Sequence, residues 1–307
     1  MKCHIVSLLE DLTIFKFYSI IMSAFSSEDS TLSVKTIQDL VLASLGKIEG
    51  MDTEDREYDS LEALWDYELS SNKKEGGGKT DATGEDVWYG DAKTYWDDVA
   101  NCPVTDDGVL GGYGKLTPVD TVGSNAFLDA VKLKRPELQF DHAADCGAGI
   151  GRVTKNLLLP RFKEVSLVEV SPRLLASAPD YVGDSGRDRI HLIEQGLQDF
   201  DPAPGTYDVI WIQWVIGHLH DLDFVRFFKR CAKGLRAGGV IALKDNCTEN
   251  CTFLVDKEDS SVARNTEYIR ILLHLSGLTI IEQVKQIGFP DELFPVYMFA
   301  LIPSTQS

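Results

Sequence analysis

From about Leu138 to the end of the chain, short apolar runs alternate with stretches of helical period. "FDHAADCGAG" reads as a strand entering a glycine-rich turn, "RVTKNLLLPRF" as a helix, "EVSLVEV" as a strand and "PRLLASAPDYV" as a helix. "IHLIEQ" and "YDVIWIQ" are strands, followed by the helix "DLDFVRFFKRCAKGL" and the strand "GGVIALKDN". The helix "EYIRILLHLSG" and the strands "TIIEQVKQ" and "VYMFALIP" close the series. This order predicts an α/β fold, with seven mostly parallel strands covered by helices on both faces. The last two strands follow each other closely, so one of them is expected to run antiparallel.

Upstream the pattern thins. Residues 87–137 are expected to form a helical cap on the domain 87–307. "VWYGDAKTYWDDV" is aromatic with helical spacing, and "GVLGGYGKL" carries four glycines that permit close backbone approach. "SNAFLDAVKL" is expected to be a helix with Ser124 as its N-cap. Residues 1–86 read as an acidic, partly disordered N-terminal extension. Within it "TIQDLVLASLGKI" has helical spacing at Ile37, Leu40, Val41 and Leu45, and "LEALWDYEL" suits an amphipathic turn or two. Ser70 to Asp86 is linker-like in composition. Residues 1–22 are apolar, but Glu10, Asp11 and Lys16 interrupt them, so they predict no membrane span.

Composition narrows the function. The 307 residues are 44% hydrophobic and 25% charged, with net charge −18 and a pI near 4.7. Such a chain is repelled by phosphate backbones and suits cationic partners, basic peptides among them. Six irregularly spaced cysteines predict neither a disulfide framework nor a zinc site.

The candidate chemistry lies at the predicted strand ends. In "DCGAGIGRVTK", Gly147, Gly149 and Gly151 allow a tight turn and close approach of a nucleotide-type cofactor to the next helix N-terminus. The spacing departs from the nicotinamide fingerprint, because Arg152 occupies the last glycine's place. Glu169, at the end of the second strand, suits ribose hydroxyls. Leu197 suits an adenine face, and Gln198 suits its edge. In "YDVIWIQWVIGHLHD" an apolar strand ends on Gln213, Trp214 and His218, where a ligand cleft is expected in such a sheet. "HLH" hints at metal, but no third ligand is evident.

The glycine loop, the strand-two acid, the step after strand three and the terminal strand pair resemble the Rossmann-like class I S-adenosylmethionine methyltransferases, with dehydrogenases as the rival. "AKTYW", "LGGYG", "DCGAGIGR", "GLQDF", "YDVIWIQWVIGHL", "KDN" and "DSSV" more specifically resemble the eukaryotic α-N-terminal protein methyltransferases. The resemblance spans about Tyr89 to Leu301. It implies S-adenosylmethionine as cofactor and protein tails beginning Xaa-Pro-Lys/Arg as substrates. It also implies a nuclear and cytoplasmic location.

The same resemblance suggests residue roles. Asp145 lies near the cationic methionine end of the cofactor, and Arg152 pairs with that end's carboxylate. Trp214 packs on the proline, while Asp256, Asp259 and Ser261 read the position-three cation. Asn246 holds the amine or the first carbonyl, and Asp259 and His218 are the candidate bases. Trp96 and the loop beginning at Leu110 close over cofactor and peptide. Two positions depart from relatives: Glu169 stands for the commoner Asp, and Phe294 for Tyr. Two rival expectations are a methyltransferase for a small-molecule amine or other acceptor, and a non-enzymatic binding module on the same fold.

Overall fold

A computed structural model describes residues 33–69 and 84–304. The opening apolar segment and the linker-like stretch up to residue 83 lie outside the described residues. The elements are α1 (Val34–Leu45), β1 (Gly50–Asp52), β2 (Glu57–Tyr58), α2 (Leu61–Glu68), α3 (Gly84–Asp97), α4 (Asp106–Val109), α5 (Thr117–Lys134), β3 (His142–Cys146), β4 (Glu164–Glu169), α6 (Pro172–Val182) and α7 (Asp184–Arg187). Then come β5 (Ile190–Glu194), β6 (Tyr207–Gln213), α8 (Asp221–Gly234), β7 (Leu235–Thr248), β8 (Phe253–Asp256), β9 (Ser261–Asn265), α9 (Thr266–Leu275), β10 (Leu278–Lys285) and β11 (Val296–Pro303).

The central strands lie in the order β5-β4-β3-β6-β7-β11-β10. Pairs from β5 to β7 are parallel, and β11 is antiparallel to both β7 and β10. That is the expected sheet with one reversed strand. Its strands alternate sides: Val209 and Trp211 of β6 join one apolar cluster, while Ile210 and Ile212 join the other. Parallel strands buried on both faces need such continuous apolar runs, and β6 is buried along its whole length.

Two local expectations change. α5 begins at Thr117, with Pro118 in its first turn, so Ser124 is buried mid-helix and is no cap. Its hydroxyl meets Lys244 Nζ at 3.0 Å instead. The buried positions Thr117, Asp120, Ser124, Phe127, Leu128 and Val131 form one helical stripe.

The second change concerns the stretch set apart as an extension. Ile37, Leu40, Val41, Leu61, Leu64 and Trp65 are buried in the same cluster as Ile210 and Phe224. Beyond the sheet, the end of β7 pairs with β9, and the order continues β9-β8-β1-β2. Packing therefore does not divide the chain at residue 86. Among the described residues no helix is long and apolar enough to cross a membrane.

Leu64 is fully buried, so Leu64→Ala should destabilise the whole protein by about 2–5 kcal/mol in chemical denaturation. A segment folded apart from the core would leave the main unfolding transition in place.

Candidate active site

Two clefts open beyond the carboxyl ends of the central strands. The first, about 1020 Å³, is lined by the glycine loop, Glu169, Leu197, Gln198 and Gln213. The second, about 1270 Å³, is lined by Leu110, Asn246, Asp256, Asp259, Ser261 and Phe294. Trp96, Val109, Trp214 and His218 line both, so the two clefts share a wall.

The glycine loop is tightly held. Gly147 has φ +72, and a Cβ there would come within 2.7 Å of Val215. Gly149 N donates to Glu169 Oε2 at 2.9 Å, and Ser171 N donates to Oε1 at 2.8 Å. Burial raises the Glu169 carboxyl, against the lowering pull of those backbone donors. Each oxygen retains a lone pair for a ribose hydroxyl. With Leu197 and Gln198 on the same wall, these residues fit S-adenosylmethionine.

Asp145 corrects the sequence expectation. It does not line the cleft; its Oδ2 accepts from Thr154 N (2.9 Å) and Thr154 Oγ1 (2.6 Å) beneath the loop. Burial lifts its carboxyl to about 6, so it serves the loop's backbone rather than a ligand's charge. Gln213 does line the cleft, but its amide is engaged by Trp211 Nε1 (3.0 Å) and Asp120 (3.0 Å). Arg152 lines the cleft while Nη1 bonds Asp120 Oδ2 at 2.7 Å. The sequence reading missed Asp120 and Lys244. The available signal was a lysine inside the apolar run "VIALKDN".

Trp214 has φ +53, a costly conformation for a bulky residue. It is the first residue past β6, and its N–H donates to Lys244 O at 3.0 Å. This turn brings the indole into the wall between the clefts, where its Nε1 is buried without a partner.

His218 lies between two partners of fixed polarity. Trp96 Nε1, which can only donate, is 3.0 Å from His218 Nε2. Ser260 O, which can only accept, is 3.1 Å from Nδ1. The proton therefore sits on Nδ1, and the Nε2 lone pair is taken by the indole. In this geometry His218 braces the wall and the β8–β9 turn, and both of its ring nitrogens are engaged. Asp259 is better placed. Its Oδ1 is buried and unpartnered, and burial raises its carboxyl against the lowering pull of the Ser261 hydroxyl.

Asp256 ends β8, where it pairs with Ser261, and Asp259 lies on the turn of the β8–β9 hairpin. Among the described residues one group could hold a metal, His142, Glu164 and His191, and it excludes His218 and His220. It lies at the opposite strand ends from the glycine loop.

Residues 84–302 match the family described as AdoMet dependent proline di-methyltransferase. The chain belongs to this family. It is 45% identical to the Mus musculus protein "N-terminal Xaa-Pro-Lys N-methyltransferase 1", over 71% of this chain and 96% of that one. It is 44% identical to the Dictyostelium discoideum "Alpha N-terminal protein methyltransferase 1", over 82% of this chain and 90% of that one. Its fold is similar to the solved structure of a SAM-dependent methyltransferase from Leishmania major, with TM-score 0.71 and 36% identity over 83% of this chain and 96% of that one. Its fold is that of the class I methyltransferases, and its cofactor is S-adenosylmethionine.

Asp245, beside Asn246 in the second cleft, has Oδ2 buried without a partner, and burial raises its carboxyl from 3.8 to about 7. Its folded pKa exceeds the unfolded one, so its contribution to stability is full below 3.8 and is lost as pH rises toward 7. Asp245→Asn should flatten the dependence of unfolding free energy on pH across that window, measured by denaturant titration.

Proposed function

We propose that this protein transfers methyl groups from S-adenosylmethionine to the free α-amine of protein tails beginning Xaa-Pro-Lys or Xaa-Pro-Arg. The observation that carries this reading is the shared wall. Trp96, Trp214 and His218 face both the cofactor cleft and a second cleft whose far side holds Asp256 and Asp259. A groove with an aromatic plate and two acids suits a proline followed by a cation.

When bound, the cofactor supplies an electrophilic methyl group on a sulfonium. The acceptor must be a neutral amine. A free α-amine has a pKa of about 7.7–8.0, so most of it is protonated at neutral pH. Asp259 Oδ1 takes that proton. A carboxyl raised by burial is a closer match to the amine than an ordinary one, so the transfer is less uphill. Asn246 holds the first carbonyl or the amine in line, and Trp214 packs its indole on the proline ring. Its partnerless Nε1 can donate to a peptide carbonyl. Gln213 and the Asp120 cluster keep the strand exits rigid beneath this groove.

Asp259→Asn should lower kcat on a Ser-Pro-Lys peptide by about 10²-fold or more, with cofactor affinity retained. In the wild type, the acid limb of kcat should lie above the ordinary carboxylate value of 3.8, and the variant should lose it. Both are read from labelled methyl transfer. Acetylating the peptide's α-amine should abolish the label; equal label on both peptides would move the acceptor to a side chain. No label with cofactor bound would favour a small-molecule acceptor.

A further inference from the structure

The acidic turn contains a cation of its own. Lys257 stands between Asp256 and Glu258, two residues before Asp259. A flexible ammonium at that position is tethered beside the acids that read the substrate's cation. Tethering gives it a high effective concentration, so an unrestrained Lys257 would compete for them.

The structure shows Lys257 engaged elsewhere. Its Nζ lies 2.8 and 2.6 Å from the two carboxylate oxygens of Glu68, whose side chain is 1% exposed. The same ammonium lies 5.3 Å over the Tyr67 ring. The Tyr58 hydroxyl is 2.8 Å from Glu68 Oε1 and 3.0 Å from Asp52 Oδ2, so Glu68 belongs to a buried polar network.

Glu68 ends α2, and its segment is locked to the hairpin. β1 runs parallel to β8, pairing Gly50 with Phe253 and Asp52 with Val255. Thr53 N donates to Val255 O at 2.9 Å, and Lys257 N donates to Thr53 Oγ1 at 3.1 Å. A Cβ on Gly50 would come within 2.2 Å of the Phe253 ring, so only glycine lets the strands meet here. Trp65 Nε1 donates to Asp221 Oδ2 at 2.8 Å, fixing α2 to the start of α8.

We propose that Glu68 is a positioning residue for substrate choice: it draws the Lys257 ammonium away from Asp256 and Asp259 and keeps those acids available to a substrate cation. The proposal rests on the reading that these two acids recognise the position-three cation. It gives the segment 33–69 a direct part in specificity, although it lines neither cleft.

The test compares Ser-Pro-Lys and Ser-Pro-norleucine peptides on the full chain. The proteins are wild type, Glu68→Gln, and the double variant Glu68→Gln with Lys257→Met. Glu68→Gln is expected to raise KM for the lysine peptide about fivefold, with the kcat for that peptide, cofactor affinity and the norleucine KM unchanged. Adding Lys257→Met should restore the lysine KM. If Glu68→Gln is unstable, Glu68→Asp, with its shorter reach, should give a smaller rise with the same reversal.

Three results overturn the proposal: no change in KM in a folded variant, equal rises for both peptides, or a rise that Lys257→Met does not reverse. A wild type indifferent to the two peptides would sink the substrate reading and this proposal with it. A wild-type preference for lysine with an unreversed rise would sink the proposal alone.

Discussion

One buried carboxylate, Asp120, holds the working end of this protein together. Arg152 Nη1 reaches it at 2.7 Å, Gln213 Nε2 at 3.0 Å and Lys244 Nζ at 2.5 Å. Lys244 also reaches Gln286 Oε1 at 2.7 Å. Helix α5, the glycine loop, the exits of β6 and β7 and the segment after β10 therefore meet at one anion. Burial alone would raise this carboxyl, but Lys244 and Arg152 outweigh it and hold it below its ordinary value. A buried cluster of this kind contributes little net stability, yet losing one member leaves an uncompensated charge. Its consequence is geometric. The strand ends that carry the site cannot move independently, and a strained Trp214 can be tolerated between them.

The second constraint is the line from Trp96 through His218 to Ser260. It joins α3, the turn after β6 and the β8–β9 turn through one imidazole. An indole can only donate and a carbonyl can only accept, so the partners choose the tautomer. The histidine then serves as a strut across the two clefts, and in the function proposed above proton removal falls to Asp259. The same burial that makes this carboxylate costly to ionise would bring its proton affinity closer to that of an α-amine.

The small sheet beside the site is assembled from distant parts of the chain. β1 and β2 come from the N-terminal region, and β8 and β9 from beyond β7. The family match begins at residue 84, whereas the Dictyostelium relative aligns over 82% of the chain, more than the stretch 84–302 holds. Similarity therefore extends upstream into the region where the segment 33–69 packs on the shared core.

By itself the sequence determined the central sheet and the glycine loop, which with its other motifs carried the resemblance to the family. Those features are written locally: each buried strand is a continuous apolar run, and a glycine turn between strand and helix has few alternatives. It also placed the amphipathic face of α1, because Ile37, Leu40 and Val41 follow a helical period. It did not show what that face packs against. β1, β2 and β8 are too short for their own pattern to stand out, and with β9 they form a sheet only by pairing with one another and with β7. Asp145 and Asp259 are both acids next to recognisable motifs, yet one fastens a loop and the other faces a cleft. Only the tertiary structure decided between them, because a carboxylate's role is set by the donors around it, and most of those donors are distant in the chain.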